Sequence, residues 1–272
     1  MTRTPLDAVL DRCPDGGRTL FLTGAGISAE SGIPTFRGPE GYWTIGSRHY
    51  RPMELATREA FDRMPGDVWG WYLHRRSMCR SALPNAAHVA VAALDRRLGD
   101  RFLLVTQNVD GLHLRAGNPS GRTYEIHGNI DFMRCANDCT KEAFPIPEAL
   151  GTPWDKGRAP GPVEKALLVC PRCGGAARPH VLWFDEYYDE EHFRFESSLR
   201  AAGEAALLVV VGTSGATNLP SQMCAAAAKR RTPMIVVDPE PTTFSELAER
   251  SGGVFLQGKA AEVVPELAER IG

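Results

Sequence analysis

Four cysteines stand as two close pairs: Cys135-x3-Cys139 and, after 30 intervening residues, Cys170-Pro171-Arg172-Cys173. Thiolates spaced in this way suit a tetrahedral zinc with four protein ligands. A site closed by four side chains has no open position for water or substrate, so this zinc is expected to fold a small module and to do no chemistry. Gly174 and Gly175, which follow directly, suit the turn of a zinc knuckle. A second group is Gly24-Ala25-Gly26-Ile27-Ser28-Ala29, placed after the apolar run TLFLT. Glycines at that spacing let backbone N–H groups approach a pyrophosphate where a strand turns into a helix. A third group is Tyr72 and Arg75, i and i+3 in the helical-looking stretch WGWYLHRR. They share a helix face, and a guanidinium beside a phenol hydroxyl makes a receptor for a carboxylate.

The elements that must position these groups read as alternating strands and helices. Thr19–Thr23, 102–105, 206–211 and 234–237 are short and almost continuously apolar, as strands covered on both faces are. Helical stretches fall at about 86–98, 191–202, 222–229 and 260–271. The order predicts an α/β fold: a Rossmann-like, doubly wound parallel sheet with a small zinc-binding module and a helical insertion. The sheet domain is expected to be discontinuous, from 1–37, 85–128 and 180–272, interrupted by the helical insertion at 38–84 and the zinc module at 129–179. The latter shows no long apolar strand.

Composition removes several classes. The chain has 272 residues, and 31 Lys+Arg against 33 Asp+Glu leave a net charge of −2. Such a balance offers no electrostatic glove for nucleic acid or an anionic membrane surface. No apolar stretch is long enough to span a bilayer. The opening MTRTPLDAVLDRCPDGG has neither the apolar core of an export signal nor a transit-peptide composition. A cytoplasmic monomer is expected, and the odd total of seven cysteines then reads as metal ligands plus packing residues (Cys13, Cys79, Cys224).

The run GAGISAESGIPTFRG resembles the signature of the sirtuins, NAD-consuming protein deacylases. Four further motifs follow in that family's order. They are TQNVDGLH from Thr106, YEIHG from Tyr124, Gly212-Thr213-Ser214 after an apolar strand, and Gly258-Lys259-Ala260 before the last helix. The resemblance implies a reaction that starts with attack of an acyl-lysine carbonyl oxygen on C1′ of the nicotinamide ribose. A base then deprotonates a ribose hydroxyl so that it can attack the imidate carbon. It implies His127 as that base, a role imidazole suits because its pKa lies near neutrality. Asn108 and Asp110 are implied as catalytic groups at the nicotinamide end, with Gln107 on the ribose, Phe36 shielding the reactive face and Arg37 near the phosphates. Gly24, Ala25, Gly26, Ser28, Gly212, Thr213, Ser214, Asp238 and Ala260 complete the implied NAD contacts. His88, His113 and His180 read as ordinary packed histidines.

In the sirtuin subgroup that removes succinyl, malonyl or glutaryl groups, a Tyr-x-x-Arg pair reads the acyl carboxylate, and an alanine 16 residues earlier makes room. Tyr72, Arg75 and Ala56 stand at that spacing. The resemblance therefore implies acyl-lysine proteins or peptides as partners, removal of acetyl and acidic acyl groups, and Val181, Trp183 and Phe184 as substrate contacts. Two segments depart from the family. Asp185 replaces a glycine in Trp183-Phe184-Asp185-Glu186, adding a charge where a peptide strand would pair, and Gly215-Ala216-Thr217-Asn218-Leu219-Pro220 replaces a Val-x-Pro element. These altered walls motivate an alternative on the same scaffold, an ADP-ribosyltransferase or NAD hydrolase.

Overall fold

The computed structural model describes residues 3–34, 43–45 and 48–271. Its strands in chain order are β1 (Thr19–Thr23), β2 (Trp43–Ile45), β3 (Arg48–Tyr50), β4 (Phe102–Thr106), β5 (Thr123–Glu125), β6 (Gly128–Cys135), β7 (Ala143–Pro145), β8 (Ala177–Val181), β9 (Leu207–Val211), β10 (Met234–Asp238) and β11 (Val254–Gln257). Six of them form one sheet in the order β11-β10-β9-β1-β4-β5, with every pairing parallel. In chain order within the sheet this is the doubly wound dinucleotide-binding arrangement, and its switch point lies between β1 and β9.

Both faces are covered, as the apolar runs require. Phe21, Leu104, Val209 and Ile235 pack on one side with the Ala86–Leu98 and Ala260–Arg270 helices. Leu20, Leu22, Val105, Leu208, Val210 and Val236 pack on the other, with the Phe195–Glu204 and Asn218–Lys229 helices. The four strands foreseen from the apolar runs lie within a residue of their expected ends. Edge strands β5 and β11 were not foreseen, because each is short and carries polar residues. The single helix expected near 191–202 is two pieces, Glu190–Phe193 and Phe195–Glu204, broken where Arg194 takes a φ of 55°. The stretch after Gly24 is 3₁₀-helical, Ala25–Ser31.

The region at 129–179, read from sequence as lacking a long apolar strand, contributes an antiparallel sheet in the order β7-β6-β8. Its core is shared with the helices that precede β4. Leu55, Phe61, Trp69, Tyr72 and Leu73 bury against Ile130, Met133, Trp154, Val181 and Trp183. Among the described residues no helix is long and apolar enough to cross a membrane.

At the switch point two loops meet backbone to backbone. The Gly24 N–H donates to Val211 O at 3.0 Å and the Gly26 N–H to Gly212 O at 2.8 Å. A Cβ at Gly26 would fall 2.5 Å from Gly212 Cα, and one at Gly212, whose φ is +61°, would fall 2.5 Å from the Ile27 nitrogen. Gly212→Ala is therefore expected to destabilise the fold by about 3 kcal/mol, from overpacking and a left-handed backbone together. A lowered urea midpoint with unchanged m-value checks this; an unchanged midpoint refutes the close-contact account.

Candidate active site

Because every strand of the large sheet is parallel, the loops that follow their carboxyl ends share one edge. Gly24, Gln107, Gly212, Asp238 and Gly258 directly follow or end β1, β4, β9, β10 and β11, and His127 comes two residues after β5. The sheet thus collects residues that are up to 234 positions apart in sequence.

His127 is held at both ring nitrogens. Nδ1 lies 2.9 Å from Gln107 O, and Nε2 lies 2.8 Å from the Tyr188 hydroxyl. A carbonyl only accepts, so Nδ1 carries the proton and Nε2 holds the lone pair, which takes the O–H of Tyr188. Burial pushes the His127 pKa down to about 4, against the opposing pull of the Gln107 carbonyl. The ring is therefore neutral at pH 7. Gly128 follows at φ +84°, where a Cβ would lie 2.0 Å from His180 O, so the chain turns sharply into β6 against the end of β8.

Asn108, Asp110 and Ser28 form a buried polar knot. The Asn108 amide gives its Nδ2 protons to Gly24 O and to Ser28 Oγ, both at 3.0 Å. Ser28 Oγ donates to Asp110 Oδ2 at 2.7 Å, and the Leu112 N–H donates to Oδ1 at 2.8 Å. Burial raises the Asp110 pKa, and those two donors oppose the rise. Asn108 Oδ1 remains as an acceptor once both amide protons are used. Gln107 is fixed in the same way: Nε2 donates to Thr213 Oγ1 at 2.8 Å, and Oε1 accepts from Thr217 Oγ1 at 2.8 Å.

Two histidines read as ordinary packing residues turn out to support this knot. Asn85 N–H donates to His88 Nδ1 at 3.3 Å, so Nε2–H faces Ser28 Oγ, also at 3.3 Å. His113, whose ring centroid is 4.8 Å from that of His88, meets Thr23 Oγ1 at 3.1 Å. Thr23 in turn donates to Thr106 Oγ1, which accepts the Asn108 N–H. Desolvation lowers both histidine pKa values, that of His88 to about 4. Nothing in the spacing of these residues signals that role.

Of the residues expected to contact NAD, Ala25 opens the 3₁₀ turn and Thr213 is buried, while Ser214 is half-buried. Asp238 Oδ1 accepts the Glu240 N–H at 3.1 Å, and Gly258 N–H reaches back to Asp238 O at 3.0 Å. Ala260 is buried at the start of the last helix, where the next N–H donates to Glu30 Oε2 at 2.8 Å. Phe36 and Arg37 lie outside the described residues.

Of the residues expected to contact the acyl substrate, Tyr72 is buried and its oxygen accepts the Trp183 indole N–H at 2.9 Å. Burial pushes the phenol pKa well up. Arg75 is half-buried, its guanidinium carbon 5.3 Å from the centre of the Trp71 ring, and it lines a small recess with Ile33, Pro34, Met78 and Cys79. Ala56 is buried, and its carbonyl accepts the Phe184 N–H at 2.9 Å. Val181 ends β8, paired with Gly128, while Phe184 is 56% exposed. The charge of Asp185 does not stand free along the substrate loop, as its sequence position suggested. Its carboxylate accepts the N–H groups of Arg58 and Glu59 at 2.7 and 3.2 Å, capping the Arg58–Arg63 helix, where the helix dipole favours an anion. Behind this loop the fully buried Arg178 stacks on Trp183 at 3.4 Å and pairs bidentately with Glu186, whose Oε2 also takes the Trp183 N–H.

The four cysteine sulfurs lie within 4.8 Å of one another, with Cys135–Cys173 at 3.7 Å and Cys139–Cys170 at 3.6 Å. A disulfide needs about 2.05 Å, whereas sulfurs about 2.3 Å from a tetrahedral zinc sit about 3.8 Å apart. The donor set fits zinc. The extra residue of the x3 pair is absorbed by Asp138, which takes a φ of 50° and pairs with Arg134. Gly174, at φ +70°, makes the second knuckle turn, and the Arg172 N–H points at Cys170 Sγ at 3.4 Å. Bound there, zinc would supply folding free energy only, since all four positions are filled by protein. Cys79 and Cys224 are buried and Cys13 half-buried, all apart from this cluster.

A parallel sheet in dinucleotide-binding order, with its polar side chains gathered at the switch point and a four-thiolate module beside it, defines a nucleotide-binding α/β enzyme class with a structural metal site. The chain belongs to the Sir2 family, whose sequence model matches residues 24–218. It is 41% identical over 250 residues to the NAD-dependent protein deacylase of Leptospira interrogans, covering 92% of this chain and 91% of that protein. It is 43% identical over 249 residues to the NAD-dependent protein deacylase of Thermus thermophilus, covering 90% and 89%. Among solved structures it is similar to a Sir2 homolog–NAD complex, with a TM-score of 0.77 and 33% identity over 97% of this chain and 93% of that one. A mutant Sir2 homologue in complex with 2′-O-acetyl ADP ribose also gives 0.77, at 34% identity, over 100% and 96%.

Metal analysis of the purified protein is expected to find one zinc per chain. Its removal by a strong chelator should melt β6–β8 while the large sheet survives, seen as partial loss of near-UV signal from Trp69, Trp154 and Trp183. Full retention of the small sheet without metal would refute the folding role.

Proposed function

We propose that this chain is an NAD-dependent protein-lysine deacylase that removes acetyl and succinyl groups, releasing nicotinamide, O-acyl-ADP-ribose and free lysine. The observation that carries the reading is the fixed tautomer of His127, with Nδ1–H on the Gln107 carbonyl and the basic lone pair at Nε2, on the edge of the sheet that also bears the glycine loops. The co-substrate supplies an electrophilic sugar carbon with a good leaving group; the side chains bind, orient and move protons. His127 accepts the proton of a ribose hydroxyl. Asp110, oriented by Ser28 and Leu112, holds the nicotinamide carboxamide, and Asn108 Oδ1 accepts from a ribose hydroxyl or an ordered water. Gln107 lies against the ribose. By the family resemblance alone, Phe36 is assigned to shielding the reactive face and Arg37 to the phosphates. Gly24, Ala25, Gly26, Ser28 and Gly212 through Ser214 line the pyrophosphate crevice, because their loops meet there without side chains between them. Asp238 and Ala260 serve the adenosine end.

Acyl-lysine peptides are the proposed partners, lying along Val181, Trp183 and Phe184. The acyl group is assigned to the side of the site that carries Ala56, Tyr72 and Arg75, of which Arg75 lines a small recess. A phenol that accepts from Trp183 still has its own proton to give, and Arg75 brings a positive charge that acts on Tyr72. Together they suit a carboxylate at the end of the acyl chain.

Replacing the base is expected to leave folding unchanged and to cut product formation by about 10²–10⁴-fold. Circular dichroism and mass spectrometry of products from His127→Ala check this; wild-type turnover would remove the role. In the same assay, nicotinamide released equally fast without acyl peptide would favour NAD hydrolysis instead. Arg75→Met should lower kcat/KM on a succinyl-lysine peptide by about 10–100-fold, the worth of a charge-assisted hydrogen bond, with little effect on the acetyl peptide. Equal losses on both peptides would overturn the carboxylate assignment.

A further inference from the structure

We propose that Tyr188 is a second catalytic residue, passing the ribose hydroxyl proton to His127 Nε2 through its own phenol oxygen. The inference rests on the deacylase reading above and adds a group that the sequence motifs do not contain.

The geometry points to it in three ways. First, both nitrogens of His127 are already engaged by the protein: Nδ1 by the Gln107 carbonyl and Nε2 by the Tyr188 hydroxyl, at 2.9 and 2.8 Å. The lone pair that must accept a proton therefore faces a phenol. Second, Tyr188 is itself fixed. Its ring stacks on Phe195 at 6.0 Å and leans on His127 at 5.8 Å, and the nearby Thr217 side chain opposes the rise that burial imposes on its phenol pKa. Third, Thr217 Oγ1 donates to Gln107 Oε1 at 2.8 Å and Gln107 O takes the His127 Nδ1–H, so Thr217, Gln107, His127 and Tyr188 form one hydrogen-bonded chain. In the proposed relay the single Thr217 proton turns from Gln107 to the phenol oxygen as the reaction proceeds, which polarises the phenol O–H toward Nε2. Thr217 lies in the segment that departs from the sirtuin pattern, and Tyr188 lies two residues beyond Glu186, past the other departing segment.

The step balances without a further reagent. The ribose O–H bond breaks as its oxygen bonds to the acyl-derived carbon, and that proton goes to the Tyr188 oxygen. The phenol proton moves to Nε2 in the same event. Tyr188 ends unchanged and His127 ends as imidazolium. Burial raises the phenol pKa to about 12, which disfavours a free phenolate and favours concerted transfer.

The test is Tyr188→Phe, which keeps the ring and removes the hydroxyl. The earlier half of the reaction, in which nicotinamide leaves and can return, does not use the base. The variant is therefore expected to lose at least tenfold more in kcat for O-acyl-ADP-ribose formation than in nicotinamide exchange, with KM for NAD within threefold of wild type. Thr217→Val, which removes the polarising hydroxyl, should show the same split at smaller size and guards against a folding failure in the first variant. Wild-type product formation in both variants, or a faster rate in Tyr188→Phe, would overturn the relay and show that the phenol only caps the base. Absence of NAD-dependent deacylation in the wild-type protein would instead defeat the underlying reading.

Discussion

The contact on which the rest depends is the meeting of the loops after β1 and β9, where Gly24 and Gly26 pass Gly212 with no side chain between them. A doubly wound parallel sheet opens a crevice where its chain order reverses, and here the backbones themselves form its floor. Because Gly26 N–H is spent on Gly212 O, the loops are locked to each other before anything binds. That lock sets the position of the 3₁₀ turn carrying Ser28, and Ser28 then sets the carboxylate of Asp110 and the amide of Asn108.

The polar interior beneath the crevice is sustained by mutual hydrogen bonding. The Ser28 hydroxyl receives from Asn108 and His88 and gives to Asp110, so its capacity is used in full. Buried polar groups are costly when unmet, and this knot places a carboxylate, an amide and two histidines close together with each held by at least one donor or acceptor, although His113 Nδ1 finds no partner. His127 follows the same logic one loop away. Its burial keeps it neutral, and a carbonyl on one side fixes which nitrogen is basic.

The smaller sheet serves the site by anchoring a loop. Arg178, stacked on Trp183 and paired with Glu186, holds the chain between β8 and the Glu190–Phe193 helix, while Asp185 ties it to the Arg58–Arg63 helix. That loop delivers Trp183 to Tyr72 and Tyr188 to His127. Four thiols at the far end of β6 and before β8 would, with zinc bound, staple the sheet whose strands set this geometry.

Short-range spacing determined a good deal without coordinates. The glycine turn after TLFLT, the paired cysteines, and the apolar runs of β1, β4, β9 and β10 each follow from rules that act over a few residues, so fold class, zinc module and family were legible. Strands β5 and β11 were not, because a three- or four-residue edge strand with polar members has no periodicity to read. Only the tertiary structure decided that the two insertions share one core, that the carboxylate of Asp185 caps a helix, that His88 and His113 brace the polar knot, and that Tyr188 and Thr217 reach His127 and Gln107. The Tyr188–His127 partners are 61 residues apart and the Thr217–Gln107 partners 110. A hydrogen bond is specific to a few tenths of an ångström, and no local pattern in the chain encodes which distant hydroxyl will arrive there.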